Sequence, residues 1–273
     1  MSHSPELTKV RFAPAAVSVL MPVYNRENYV IEAIRSIEAQ NFRDYKLIIY
    51  DDGSTDKTEA VCRRMADGNG RIQYVRGGHV GVAEARNILL DLCESRIACW
   101  QDSDDISHPL RLQLQFFELA NIPRGIVFPR SEFFTGPFKK KMDGPPESAN
   151  RPWWCGQDRN ERPKCVAHLP ADVAPGFNCG GGTAAAMFTV DKKIRFTQPD
   201  FNHPRAKWMG EDCSYVGKLL AMDGIYVKIP QVVYWVRDHD ERMSNIVRTM
   251  YGKMPDADFA EMLEAYRRVK HRV

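Results

Sequence analysis

The chain has 273 residues, 44% of them apolar and 27% charged, the proportions of an ordinary soluble domain with room for a large core. Its 38 basic and 35 acidic residues leave a formal charge of +3, too small a surplus to argue for a nucleic-acid partner. No run approaches the ~18 apolar residues of a membrane-spanning helix, and the opening "MSHSPELTKVRF" lacks the apolar centre of a secretory signal, so a cytoplasmic chain is expected. Seven scattered cysteines fit free thiols better than a disulfide framework, and there is no Asn-x-Ser/Thr acceptor for glycosylation.

From residue 17 short β-branched runs alternate with helical periods. "VSVLMPV" (17–23) reads as a buried strand, and "ENYVIEAIRSIEAQ" (27–40) sets Tyr29, Ile31, Ile34 and Ile37 near one helical face. "KLIIY" (46–50) is a second strand, and "DKTEAVCRRMA" (56–66) a second helix, entered through "DDGST", where Ser54 or Thr55 can cap it. "RIQYV" (71–75), "VAEARNILLDLCES" (82–95) and "RIACW" (96–100) repeat the unit; "HPLRLQLQFFELA" reads as a helix and "RGIVF" (124–128) as a further apolar run. Such alternation implies a largely parallel sheet covered on both faces. Ligands bind beyond the carboxyl ends of strands in sheets of this kind, which is where "YNREN", "YDDGSTD" and "QDSDD" all fall.

The last of these loops poses a question. Asp102, Asp104 and Asp105 put three carboxylates within four residues, immediately after an apolar run. Charges so close repel, so either something positive sits among them or the loop lies open to water. Hard divalent cations such as Mg²⁺ or Mn²⁺ take one or two carboxylates together with water and substrate phosphate, and Asp102 and Asp104 can face one cation from a turn. A solvated acidic loop capping the next helix fits the same residues.

Five stretches, "VSVLMPVYNREN", "LIIYDDGSTDKT", "GVAEARNILLD", "DSDD" and "GEDCSYVGKLL", resemble in this order and at these separations the inverting glycosyltransferases of family 2. The likeness covers roughly residues 15–245, with a gap over 131–180. It implies the α/β GT-A fold, a Rossmann-like, mostly parallel sheet flanked by helices. It also implies transfer of a sugar from a nucleotide-diphosphate donor, a UDP-sugar first of all, to a carbohydrate hydroxyl, with Mn²⁺ or Mg²⁺. On this resemblance Pro22, Tyr24 and either Asp51 or Asp52 hold the nucleobase, a carboxylate being able to accept from the uracil N3–H. Arg86 contacts the nucleotide, Asp102 the ribose or metal, and Asp104 the metal that bridges the diphosphate. Asp212 is the expected general base, with Glu211 as second choice, and His239 is the expected reach of a closing loop toward the metal or diphosphate.

Residues 131–182 are rich in Pro, Gly, Cys and Trp and lack either period. Cys155, Cys165, His168 and Cys179 have the spacing C-x9-C-x2-H-x10-C, which lacks the tight pair usual at zinc, so free thiols are preferred. Trp153 and Trp154 are candidates to wall the acceptor side. "TAAAMFTV" (183–190) reads as a strand, 211–222 as a helix, 226–239 as a strand or a pair interrupted by Pro230, and the basic end as a helix suited to peripheral membrane contact. The expectation is a single domain over 1–273: a nucleotide-sugar half (15–130), an insert (131–182), an acceptor and catalytic half (183–245) and a helical tail (246–273). A nucleotidyltransferase and a non-catalytic sugar-binding module are the alternatives. The first lacks an evident Gly-rich triphosphate loop near residue 20, and the second leaves the acidic residues without a task. "GGHVGVA" does not meet G-x-G-x-x-G, which argues against a dinucleotide-dependent dehydrogenase.

Overall fold

The computed structural model describes residues 14–146, 183–196, 215 and 225–240. Glu211 and Asp212, Trp153 and Trp154, the Cys155, Cys165, His168 and Cys179 set and the C-terminal helix expected from the sequence lie outside the described residues.

β1 (Val17–Val23), α1 (Val30–Glu38), β2 (Tyr45–Asp51), α2 (Thr58–Ala66), β3 (Ile72–Arg76), α3 (Val82–Leu92) and β4 (Ile97–Trp100) form the first half in strict alternation. A two-residue strand β5 (Ile106–Ser107), α4 (Arg111–Leu119) and β6 (Gly125–Phe134) follow, then a 3-10 turn at Thr183–Ala185, β7 (Met187–Thr189) and β8 (Ile225–Arg237). The eight strands make one sheet in the order β3-β2-β1-β4-β7-β6-β8-β5. β3, β2, β1 and β4 are parallel, as the alternation predicts. Beyond them β7 runs antiparallel to both β4 and β6, and β5 antiparallel to β8, so the far half is mixed.

The period-2 geometry of a strand sorts β1 between two cores. Leu20 packs with Ile48, Ala98, Trp100 and the α3 residues Leu89 and Leu90. Val19 and Met21 face the other way, toward Leu47, Ile49, the α1 residues Ile34 and Ile37, Cys62 of α2 and Leu112 of α4. Each sheet face is thus closed by helices, and the backbone ends left over are the loops at the strand termini. Cys62, Cys93 and Cys99 are buried free thiols, in line with the sequence reading; burial pushes the Cys62 thiol up to about 12. Among the described residues no helix is long and apolar enough to cross a membrane.

Helix α1 begins at Val30, not residue 27; a turn in which the Tyr29 and Val30 N–H groups donate to the Arg26 carbonyl precedes it, and the Arg26 and Glu27 N–H groups donate to Thr58 and Asp56. β6 continues past Pro129 to Phe134, into residues expected to lack a strand period, and β8, paired parallel to it, is one strand through Pro230, the first of the two sequence alternatives. The pairing shifts register between Phe128 and Ser131, opposite Lys228 to Tyr234, so both prolines fall where the ladder is already broken and a missing N–H costs little.

Candidate active site

The loops after β1 and β2 are laced together at the carboxyl end of the sheet. The Asn25 N–H donates to Ser54 Oγ at 3.0 Å, and Thr55 N–H donates back to Asn25 Oδ1 at 2.8 Å. Arg26 N–H reaches Thr58 Oγ1 at 2.7 Å and Glu27 N–H reaches Asp56 Oδ2 at 3.1 Å, while Lys57 N–H donates to Glu27 Oε2 at 2.8 Å. Asn25 adopts φ +49°, a left-handed conformation that asparagine tolerates better than most residues. Orphan donors at the start of two helices are thereby satisfied by each other's loops.

The "DDGS" turn gives its two carboxylates different work. Asp51 is fully buried: Oδ1 accepts from Ser54 N–H and Oδ2 from the Tyr74 hydroxyl, both at 2.8 Å, with Arg76 at 3.6 Å. Asp52 accepts from the N–H groups of Val80 (2.7 Å) and Gly81 (2.9 Å), and His79 Nδ1 lies 3.2 Å from its Oδ2. Gly53 follows the two aspartates at φ +81°, and a Cβ there would stand 3.1 Å from His79 N, so glycine serves both the turn and the close approach. His79 stacks on Tyr24, ring centroids 4.4 Å apart, while Pro22 is half-buried one strand position before the buried Val23.

The acidic loop after β4 meets the guanidinium groups of Arg26 and Arg86 and the imidazole of His239, which answers the question raised by its sequence. Candidate ligand oxygens of Asp102, Asp104 and Asp105 lie within 4.8 Å of one another. Asp104 Oδ2 meets Arg26 Nε at 3.2 Å and His239 Nε2 at 3.0 Å. Burial pushes the Asp104 carboxyl up, but the His239 hydrogen bond and the Arg26 charge outweigh it and hold it below its ordinary value. Arg86 Nη2 lies 3.8 Å from Asp102 Oδ1, and its guanidinium is enclosed over the rings of Trp100 and Phe196. Asp105 differs from its neighbours. It is buried, accepts from Arg237 N–H at 2.8 Å, and is pushed well above the usual carboxylate range by that burial and then by the charges of Asp104 and Asp102.

Behind the loop the buried Arg111 donates to Gln115, Gln101, Ser107 and the Trp100 carbonyl and lies under Tyr234, whose hydroxyl accepts from Asp102 N–H at 3.1 Å. Arg237 donates Nε to the Asp104 carbonyl at 2.9 Å, Nη1 to the Gly136 carbonyl and Nη2 to Glu32. Tyr29 completes the surround, its ring 4.5 Å from that of His239.

The structure therefore gathers Asp102, Asp104, Arg86 and His239 at one place, with Tyr24 and Asp52 meeting His79 on the neighbouring loops. Glu211 and Asp212 lie outside the described residues. Sequence reading missed Arg26, His79, Tyr234 and Arg237. A signal for the first existed: a triple carboxylate needs a countercharge, and Arg26 lies within "YNREN", a loop already placed at the same end of the sheet.

Three polar loops gathered at the carboxyl end of a parallel half-sheet that continues into mixed strands fit the GT-A class of folds, which the solved structures below share. The profile of glycosyl transferase family 2 matches residues 18–194, and the chain belongs to this family. It is 33% identical over 89 residues to the glycosyltransferase GlyA of Streptococcus pneumoniae (33% of this chain, 13% of that protein). It is 40% identical over 92 residues to the minor teichoic acid biosynthesis protein GgaB of Bacillus subtilis (33% and 10%). The matched segments thus span small fractions of these curated relatives. Among solved structures, S. aureus TarS 1–349 superposes with a TM-score of 0.56 at 16% identity, covering 91% of this chain and 68% of that one. The Pyrobaculum calidifontis mannosyltransferase PcManGT, in complex with GDP-Man and Mn²⁺, superposes at 0.54 with 17% identity, covering 93% and 69%. TarS has also been solved with UDP and with UDP-GlcNAc.

Proposed function

We propose that the chain is a metal-dependent inverting glycosyltransferase that moves a hexosyl group from a nucleotide-diphosphate donor, a UDP-sugar first of all, to a carbohydrate hydroxyl. The observation that carries this reading is the meeting of Asp102, Asp104 and His239 beside the laced β1 and β2 loops. Two carboxylates and an imidazole suit Mn²⁺ or Mg²⁺, and Asp105, occupied by Arg237 N–H, is left to shape the loop. A divalent ion held there supplies Lewis-acid stabilisation of the charge on the leaving diphosphate. The solved TarS complexes with UDP and UDP-GlcNAc and the PcManGT complex with GDP-Man and Mn²⁺ support the same donor chemistry.

Within this reading Tyr24 and His79 offer aromatic faces to the base. Either Asp51 or Asp52 accepts its N–H: each oxygen of both already takes one bond, from Ser54 and Tyr74 on Asp51 and from Val80 and Gly81 on Asp52, and a carboxylate oxygen has a second lone pair to offer. Arg86 steadies Asp102 at the ribose and diphosphate. The acceptor oxygen attacks the anomeric carbon as the bond to the diphosphate breaks on the opposite face, and Asp212 takes the acceptor's proton, with Glu211 as the alternative. Trp153 and Trp154 wall the acceptor side, and the basic C-terminal segment touches the membrane surface from the cytoplasm.

The test is hydrolysis of a panel of UDP- and GDP-sugars by the whole chain. One donor should turn over with Mn²⁺ or Mg²⁺, stop after exhaustive chelation, and slow by ~10²–10⁴ in Asp212→Asn with donor affinity retained. Turnover that survives chelation removes the metal from the mechanism; wild-type turnover by Asp212→Asn moves the base elsewhere.

A further inference from the structure

The ion pair between Arg26 and Asp104 is not explained by donor chemistry alone. Asp104 Oδ2 carries two donors at once, Arg26 Nε and His239 Nε2, and its side chain is only 13% exposed. An imidazole that gives up its hydrogen bond can turn its nitrogen to a metal, but a guanidinium has no acceptor and does not lose its proton. Arg26 and a cation at Asp104 Oδ2 therefore compete for one oxygen.

The same guanidinium is held to its own loop by Nη1 bonds to the carbonyls of Asn25 (2.9 Å) and Tyr24 (3.4 Å), and that loop is laced to the β2 turn. Among the described residues, Arg26 is thus an ionic link between the base-side loops and the acidic loop. A guanidinium released from Asp104 stays within this cluster, where phosphate oxygens are its natural next partner.

We infer that Arg26 is a stand-in countercharge for the acidic loop, which leaves Asp104 for the donor diphosphate when metal and nucleotide enter together and so couples the two bindings. The inference rests on the metal-dependent reading above. While Arg26 holds Asp104, the metal alone binds at a disadvantage. Once a diphosphate takes the guanidinium, the disadvantage is gone. By linkage each ligand then strengthens the other, and couplings of this kind run from about 5- to 150-fold.

Direct Mn²⁺ titration of the full chain, read from the electron paramagnetic resonance signal of free Mn²⁺, tests this with and without UDP or GDP. Arg26→Gln should bind Mn²⁺ alone at least about fivefold more tightly than wild type, and the nucleotide's enhancement of Mn²⁺ binding should shrink by a similar factor. Arg26→Lys, which keeps the charge, should stay within about threefold of wild type on both counts. Equal or weaker Mn²⁺ binding by Arg26→Gln overturns the inference and leaves Arg26 a positioning group for Asp104. A lysine variant that behaves like the glutamine variant overturns it too, since charge is then not the cause. Failure of wild type to bind Mn²⁺ even with nucleotide removes the metal-dependent reading itself, a result distinct from normal coupling that Arg26→Gln leaves unchanged.

Discussion

The loops after β1 and β2 and the loop after β4 stand side by side at one end of the sheet, yet they are held by different forces. The first two are joined by main-chain N–H groups donating to the neutral side chains of Ser54, Asn25 and Thr58 and to the carboxylates of Asp56 and Glu27. The third is held by Arg26, His239 and Arg86 acting on carboxylates. Main-chain bonds of this sort are built to stay, whereas a carboxylate can exchange one cation for another. On the proposed reading, this difference gives rigidity to the side that takes the nucleotide and exchange to the side that takes the metal.

The contrast is broken most severely at Asp104. Asp104→Asn should lower metal-dependent donor turnover by more than ~100-fold, beyond the loss usual for groups that only support a ligand. Its unfolding free energy should fall by about 1 kcal/mol: the amide oxygen still accepts one bond, while the charge that Arg26 and His239 favoured is gone. Urea denaturation beside a donor-hydrolysis assay reads both; a large stability loss would mean the acidic loop is as structural as its neighbours.

Asp51→Ala should do the reverse. It strands the Ser54 N–H and the Tyr74 hydroxyl, and should cost about 2–3 kcal/mol in urea denaturation. Mn²⁺ affinity, measured in the absence of nucleotide, should move less than about threefold, since Asp51 is held by Ser54, Tyr74 and Arg76, none of which belongs to the acidic loop.

The smallest effect sharpens the comparison through pH. Burial pushes the Asp56 carboxyl up, but hydrogen bonds from the Thr58 hydroxyl and from the Thr58 and Glu27 N–H groups more than offset this, so its pKa is lowered on folding. A carboxyl depressed in the folded state stabilises above its unfolded pKa and loses that contribution as pH falls through the folded value. Asp56→Ala should therefore cost about 1 kcal/mol at neutral pH. The gap to wild type should narrow below about pH 4. A gap that stays constant to pH 2 would mean that the ionised form carries no part of the lacing.

Much of this was legible in the sequence, for reasons that also mark where reading stops. The run 17–23 became β1 residue for residue because a strand buried on both faces is nearly apolar throughout, and β2 and β4 followed the same rule, while the half-buried edge strand β3 was marked by Ile72, Tyr74 and Val75. The placement of three polar loops at one sheet end followed from parallel pairing. What did not follow was pairing chosen by tertiary contact: the antiparallel entry of β7, the two-residue β5, and the continuation of β6 beyond Pro129. The family resemblance named Asp102, Asp104, Arg86 and His239, and the structure sets these four side by side. Arg237 was not named, because its contacts with the Asp104 carbonyl, the Gly136 carbonyl and Glu32 arise only once β8 pairs beside the acidic loop.

The proline-bearing irregularity between β6 and β8 sets something like a reading frame. Phe128 faces Lys228, but Ser131 faces Tyr234, so β8 spends more residues than its partner in crossing the bulge. Tyr234, Arg237 and the following His239 all come after it. In a strand, one residue gained or lost turns every later side chain to the opposite face. A single-residue insertion or deletion in β8 beside Pro230 would thus rotate Tyr234 and Arg237 away from the acidic loop together. The acidic end of the sheet is spelled in a frame whose start codon is a defect in the ladder.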